Sequence, residues 1–178
     1  GDNDIAAVAG TSEARLRVFL NDGSANFAFL GDYAAGVIER STGNIEHVDV
    51  DADGDIDIVL VSEGGFGEFV VMFNQGAGTF TAQQSTGVPN GRRIAVADFN
   101  GDSAPDLATA CTPNLELRVR ITFNDGTGSF GVGGDWIDVI LSPDNLEGLG
   151  IAAGDLDGDG DQDLIAAGLR VRGRPLAQ

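Results

Sequence analysis

The sequence predicts an all-β fold, because several observations agree on short strands joined by tight turns. Glycine provides 27 of the 178 residues, roughly twice its usual share of ~7%, so the backbone has many points where it can turn sharply. Apolar and polar residues alternate from Leu115 to Phe123, which is the period of a strand with one buried face. No stretch shows the apolar period of a capped helix.

An acidic segment repeats along the chain. Three full copies occupy residues 49–57, 98–106 and 155–163, and a partial copy opens the chain at residues 1–4. The last aspartates of the copies, Asp4, Asp57, Asp106 and Asp163, are 53, 49 and 57 residues apart. Such a spacing indicates one structural unit repeated in tandem.

A glycine-rich turn recurs in phase with the acidic segment. Each turn opens with an asparagine and leads to a phenylalanine; the pairs are Asn21 with Phe27, Asn74 with Phe80, and Asn124 with Phe130. Asparagine and glycine between apolar runs predict β-hairpins, because both residues accept positive φ at low cost. Each unit therefore contains a strand entering the acidic loop, a strand leaving it, a third strand, a hairpin and a fourth strand.

Four antiparallel strands in about 50 residues are typical of one blade of a β-propeller. A sandwich or a solenoid would use similar strands, but a sandwich gives no reason for a loop to repeat at this period. We predict a single repeat domain over residues 1–178, with about three to four blades: a partial blade at 1–43, blades at 44–92 and 93–147, and a partial blade at 148–178. The chain would then be a fragment of a longer polypeptide, or several copies would associate to complete the ring.

The acidic segments carry side-chain oxygens at positions one, three, five and nine, and position seven can offer its backbone carbonyl. Calcium takes six to eight oxygen ligands, and a set made only of hard oxygens suits calcium better than zinc or copper. About three Ca²⁺ ions are therefore expected. The predicted ligands are Asp49, Asp51, Asp53, Asp55 (carbonyl) and Asp57; Asp98, Asn100, Asp102, Ala104 (carbonyl) and Asp106; and Asp155, Asp157, Asp159, Asp161 (carbonyl) and Asp163.

The three loops differ at the sixth position, where the chain must bend back. Gly54 and Gly160 stand there in the outer loops, whereas the middle loop has Ser103. The middle loop also has three formal negative charges instead of five, so we expect it to bind calcium less tightly. The alternative interpretation, that these aspartates are solvated turn residues, leaves the mutual repulsion of clustered carboxylates uncompensated.

An EF-hand is excluded by the residues that follow. That motif needs a bidentate glutamate at position twelve, between two helices. The corresponding residues are Leu60, Thr109 and Ala166, which lie in strand-like runs.

The acidic loops that begin at Val96 and Ala153, together with hairpins of the form Phe-Asn-x-Gly-x-Gly-x-Phe, resemble the FG-GAP/VCBS repeats of integrin-α-like β-propellers. The resemblance covers essentially the whole chain. It implies that calcium loops connect the first two strands of each blade, and that a closed ring commonly has seven blades. It also implies a secreted or cell-surface module with structural Ca²⁺, used for adhesion or lectin-like recognition of a protein or carbohydrate ligand.

Other functions remain as alternatives. The chain would be a catalytic or non-catalytic part of a secreted polysaccharide-degrading enzyme, or a self-assembling structural repeat protein whose free strand edges seek partners. Catalysis would need clustered histidine, tyrosine, arginine or lysine side chains, and the chain has His47 alone, Tyr33 alone and no lysine. We therefore expect no enzyme activity. The net charge of −18 disfavours nucleic acid and anionic membrane as partners, and no apolar run is long enough for membrane insertion.

Overall fold

The computed structural model describes residues 2–9, 13–36, 41–63, 68–86, 91–111, 117–131, 136–142 and 146–170. Over these ranges the chain forms thirteen β-strands and no helix. The strands make four antiparallel sheets, of three, four, four and two strands. This confirms the predicted all-β fold and is the architecture of part of a propeller. No helix long and apolar enough to cross a membrane occurs in the described part of the chain.

The strands of each sheet follow one another in chain order. The first sheet contains β1 (Ile5–Ala9), β2 (Arg15–Asn21) and β3 (Phe27–Ala34). The second contains β4 (Ser41–Val48), β5 (Asp57–Glu63), β6 (Glu68–Asn74) and β7 (Phe80–Thr86). The third contains β8 (Gly91–Ala97), β9 (Asp106–Cys111), β10 (Leu117–Thr122) and β11 (Trp136–Ser142). The fourth contains β12 (Leu146–Gly154) and β13 (Asp163–Arg170).

Each full acidic loop connects the first two strands of a four-stranded unit. The register is the same at the base of every loop, where the last residue of the entering strand pairs with the ninth-position aspartate: Val48 with Asp57, Ala97 with Asp106, and Gly154 with Asp163. The first sheet contains the second to fourth strands of this unit, and the fourth sheet contains the first two. The loops therefore all lie at the same end of their sheets.

The first three sheets stack face to face, and the core lies between them. Ile58 and Leu60 on β5 pack with Leu16 and Val18 of the first sheet, while Val59 and Val61 face the opposite way, toward the third sheet. All four of these β5 side chains are buried. A strand buried on both faces reads as a continuous apolar run instead of an alternating one.

The first strands of successive sheets lie side by side, since β4 contacts β8 and β8 contacts β12. The side chain of Asn44 on β4 holds one of these contacts. Its Oδ1 accepts the backbone N–H of Ile94 at 2.7 Å, and its Nδ2 donates to the Ile94 carbonyl at 3.1 Å. This arrangement is that of the inner strands of neighbouring propeller blades.

Candidate metal centres

The three acidic loops share one backbone path, with positive φ at both the fourth and the sixth position. The pairs are Ala52 (φ 60) and Gly54 (φ 93), Gly101 (φ 79) and Ser103 (φ 73), and Gly158 (φ 83) and Gly160 (φ 97). Sequence reasoning identified the sixth position but missed the fourth. The available signal was the glycine at that position in the second and third loops. Two left-handed residues so close together coil the chain tightly enough to bring alternate side chains together.

The first-position aspartate of each loop binds backbone N–H groups of its own loop. Asp49 accepts from Gly54 at 2.9 Å, and Asp155 accepts from Gly160 at 3.1 Å. In the middle loop Asp98 accepts from Ser103 at 2.8 Å and from Gly101 at 2.7 Å. Partial burial raises the pKa of Asp98, but these N–H donors outweigh it, so the pKa lies below its ordinary value of 3.8. The loop backbone is thus arranged around an ionised carboxylate.

The ninth-position aspartate is buried and bonded to two backbone N–H groups. Asp57 is 0% exposed; its Oδ2 accepts from Val50 at 3.0 Å, and its Oδ1 accepts from Asn74 at 2.8 Å. Burial raises the pKa of Asp57 although these two bonds lower it, and the negative charges of Asp51 and Asp53 raise it further. Each carboxylate oxygen has a second lone pair, so the side chain can also face a cation.

The middle loop uses its last aspartate in the same way, whereas Asp163 of the third loop is only half-buried. Asp106 is 0% exposed and accepts from Phe99 at 3.0 Å and Asn124 at 2.9 Å; burial is the main reason that its pKa is raised. Asp163 accepts from Leu156 at 3.0 Å. The sequence identified the first asparagine of each glycine-rich turn, such as Asn124, only as a turn residue and did not predict its hydrogen bond to the ninth-position aspartate. The signal for this contact was that the asparagine and the aspartate repeat with the same period.

Carboxylates converge in two of the three loops. Oxygens of Asp49, Asp51 and Asp57 lie within 4.8 Å of one another, and so do oxygens of Asp155, Asp157 and Asp159. The converging aspartates of the first loop are those at positions one, three and nine, and those of the third loop are at positions one, three and five. The remaining predicted side-chain ligands, Asp53 and Asp163, lie outside these groups. The carbonyl ligands predicted at Asp55, Ala104 and Asp161 stay predictions.

The middle loop is built differently. Among the described residues, Asp98, Asp102 and Asp106 do not form a group of three converging carboxylates. Asn100 is tied to Asp102 instead: its Nδ2 donates to Asp102 Oδ2 at 2.8 Å, and its Oδ1 accepts the Asp102 N–H at 2.9 Å. This difference agrees with the weaker metal binding expected from its sequence.

The outer loops fit a hard divalent cation. Their converging atoms are all carboxylate oxygens, the ligands that calcium prefers, and three such charges within 4.8 Å repel one another strongly without a cation. The third group is exposed, while Asp49 and Asp51 of the first group are half-buried. A hydrated ion could therefore reach both.

The single histidine and the single tyrosine, the residues considered for catalysis, lie in different environments. His47 is exposed on β4 and lines a groove of about 640 Å³ between the first and second sheets, together with Ile5, Ile45 and Glu46. Burial raises the pKa of Glu46. Tyr33 packs its ring edge-on against Phe80, with 5.6 Å between the ring centroids, as a core aromatic does.

The stacked four-stranded sheets and their repeated acidic loops define a propeller-type module with candidate metal centres. A comparison with known families matches the FG-GAP-like repeat to residues 49–109 and again to residues 98–166. The first residues of the two matches, Asp49 and Asp98, each open an acidic loop. Because the matches together span more than half of the sequence, the chain belongs to the FG-GAP-like repeat family, which confirms the resemblance. A search of curated proteins found no match.

Proposed function

We propose that this chain is a calcium-binding module in which the ions stabilise the acidic loops, and that it recognises other molecules without catalysing a reaction. The observation that carries the proposal is the convergence of Asp155, Asp157 and Asp159, and of a second set of three aspartates in the first loop. The first loop would hold calcium with Asp49, Asp51 and Asp57, and the bound charge would offset the repulsion among them.

Burial of Asp57 adds support. An ionised carboxylate away from water is unfavourable unless it is paired or bonded, and like charges on Asp51 and Asp53 increase that cost. The two backbone N–H groups that bond Asp57 offset part of the burial cost, and a divalent cation beside it would offset the rest together with the repulsion from Asp51 and Asp53. The ion would therefore stabilise the folded chain as well as the loop itself.

An extracellular location is part of the proposal. FG-GAP-like repeats are typical of extracellular proteins, and calcium sites of extracellular modules have dissociation constants of about 10⁻⁴–10⁻³ M. Exposed loops such as 155–161 would fill under those conditions. With the loops held rigid, the surfaces beside them would contact a protein or carbohydrate ligand, as in adhesion or lectin-like recognition.

Calcium titration of the chelated protein tests the metal proposal. We expect an increase in the free energy of unfolding of about 2.7 kcal/mol per site when calcium exceeds its dissociation constant 100-fold. The double variant Asp51→Asn, Asp157→Asn should lose most of this increase. Asp22→Asn removes one exposed carboxylate outside the acidic loops and should keep it. Equal stability with and without calcium would refute the proposal.

The recognition role needs a separate measurement. Arrays of carbohydrates and extracellular proteins, probed with the labelled chain in calcium and again in chelator, should show binding only in calcium. Binding that survives chelation and the Asp51→Asn, Asp157→Asn substitutions would show that recognition is independent of the loops. A turnover of a polysaccharide substrate would contradict the non-enzymatic role.

A further inference from the structure

Three hydrogen bonds connect the first acidic loop to the second. The backbone N–H of Val50 donates to Asp57 Oδ2 at 3.0 Å, and the Val50 carbonyl accepts from Asn124 Nδ2 at 2.8 Å. The backbone N–H of Asn124 then donates to Asp106 Oδ1 at 2.9 Å. Asp57 and Asp106 are the ninth-position aspartates of neighbouring loops. The backbone of one residue, Val50, and the residue Asn124 therefore separate two predicted calcium ligands.

Every residue of this connection is buried. Asp57 and Asp106 are 0% exposed, Val50 is 1% exposed and Asn124 is 2% exposed. Hydrogen bonds shielded from water are costly to break, because a buried donor or acceptor left without a partner loses its hydration and gains nothing. If Asp57 or Asp106 moves, the residues bonded to it should therefore move with it, because breaking the buried hydrogen bonds would cost more.

The Asn124 side chain is held in one orientation. Its Oδ1 accepts the N–H groups of Gly126 at 3.2 Å and Gly128 at 3.1 Å, and its Nδ2 also donates to the Pro105 carbonyl at 3.2 Å. The hairpin itself is pressed against the second sheet, since a Cβ on Gly128 would lie 3.2 Å from Val50 Cγ2. Asn124 cannot turn away from Val50 without losing bonds to its own hairpin.

We propose that Asn124 couples calcium binding in the first loop to calcium binding in the second. An ion held by Asp57 fixes the backbone of Val50, which fixes Asn124 and so places Asp106 for the second ion. The second loop, which lacks a convergent group of three carboxylates, gains most from this placement. Asn124 acts as a positioning residue and not as a ligand. The inference rests on the proposed calcium function and deepens it.

Asn74 provides a matched control. Its N–H donates to Asp57 Oδ1 at 2.8 Å, its Nδ2 donates to the Ile56 carbonyl at 3.2 Å, and its Oδ1 accepts from Gly76 at 3.1 Å. Asn124 makes the same three bonds within its own repeat, and accepts one more, from the Gly128 N–H. Over the described ranges, the hydrogen bonds of the Asn74 side chain stay in its own repeat, so substituting it removes two equivalent local bonds without touching a second loop.

The test measures calcium affinity loop by loop. The backbone amide resonances of Gly54 and Gly101 report the first and second loops of the whole chain during a calcium titration. Asp51→Asn weakens the first site and leaves Asn124 in place. We expect this substitution to lower the affinity of the second loop at least about 5-fold, the lower end of usual coupling between sites. The coupling free energy is reciprocal, but the tighter first loop fills while the second loop is still largely empty, so Asp102→Asn should change the affinity of the first loop less.

The effect of Asp51→Asn should shrink to less than about twofold, the limit for independent sites, when it is combined with Asn124→Ala. When Asp51→Asn is combined with Asn74→Ala, its effect on the calcium affinity of the second loop should persist. If Asp51→Asn leaves the calcium affinity of the second loop unchanged, the proposed coupling is wrong, and this result does not depend on whether Asn124→Ala folds. If Asp51→Asn has the same effect in the Asn124→Ala and Asn74→Ala backgrounds, the coupling is due to long-range charge and not to Asn124. Resonances of Gly54 and Gly101 that never respond to calcium would refute the calcium function itself.

Discussion

Asp57 accepts the backbone N–H of Asn74 at 2.8 Å, and this bond fastens the end of an acidic loop to the hairpin of the same sheet. The same contact joins Asp106 to Asn124 at 2.9 Å, and Asp4 to Asn21 at 2.8 Å. The acidic segment and the glycine-rich turn share one period because they supply the two partners of a repeated bond. The ninth-position aspartate therefore supports the fold even before it meets a cation.

Asp57→Ala should destabilise the chain in the absence of calcium. It leaves the N–H groups of Val50 and Asn74 without their acceptor, and each unsatisfied buried group costs about 1–3 kcal/mol. We expect a loss of about 2–4 kcal/mol in the free energy of unfolding, measured by urea denaturation in chelator. Asp53→Ala, at an exposed position of the same loop, should change it by less than about 0.5 kcal/mol. Equal losses would mean that Asp57 has no separate structural role.

Ser103→Gly should stabilise the middle loop. Ser103 has φ 73, at the position where the outer loops have Gly54 (φ 93) and Gly160 (φ 97). A left-handed conformation strains a residue with a Cβ by about 1 kcal/mol or more, and the greater freedom of glycine in the unfolded chain offsets part of the gain. The melting temperature in chelator should rise by about 1–4 °C. Gly54→Ala should lower it, and a rise there would contradict the argument.

Much of this fold was predictable because the information is local. Alternating apolar residues specify strands, turns of the form Asn-x-Gly specify hairpins, and the nine-residue acidic pattern marks each loop, so the repeat could be read from sequence spacing alone. Ala52 was not predictable in this way. It has φ 60, and alanine itself carries no signal for a left-handed conformation, so the only indication was the glycine at the same position of the other two loops.

Contacts between sheets were beyond sequence reasoning. Asn124 and Val50 are separated by 74 residues, and their bond depends on how the third hairpin settles against the second sheet. The two outer loops also share one nine-residue pattern, yet Asp57 joins the first carboxylate group and Asp159 joins the third. The pattern alone does not distinguish them, because the burial of the ninth position differs: Asp57 is buried, whereas Asp163 is half-buried.

Gly128→Ala should loosen the packing between the second and third sheets. A Cβ there would lie 2.5 Å from Phe73 Cε1, whereas a Cβ on Gly126, in the same hairpin, would lie 4.0 Å from its nearest neighbour, Ala104 Cβ. Both glycines have positive φ, of 76 and 82 respectively, so Gly126→Ala measures the backbone strain alone. Overpacking typically costs a further 1–3 kcal/mol or so. Urea denaturation should show Gly128→Ala as the less stable variant by about that amount, and equal stabilities would show that Phe73 can move aside.

Thr127→Val should raise the pKa of Asp125. The Thr127 hydroxyl donates to Asp125 Oδ1 at 2.7 Å and its backbone N–H donates to the same oxygen at 2.9 Å. These two bonds, the hydroxyl first, hold the pKa of Asp125 below its ordinary value of 3.8. Valine keeps the branched shape and the backbone N–H but lacks the hydroxyl. The pKa, followed by NMR of the carboxyl carbon, should therefore move toward 3.8 without reaching it.

The same substitution should change the acid sensitivity of the third hairpin. Because the folded pKa of Asp125 lies below the unfolded one, the stability it contributes is present above pH 3.8 and is lost as the pH falls through the folded pKa. With Thr127→Val this contribution is smaller, so protection of the turn amides should fail at a higher pH. Thr79→Val is the control, since the Thr79 hydroxyl donates to the Gly76 carbonyl at 2.9 Å and has no carboxylate to stabilise. An Asp125 pKa that is unmoved by Thr127→Val, or moved equally by Thr79→Val, would show that the hydroxyl bond is not the cause.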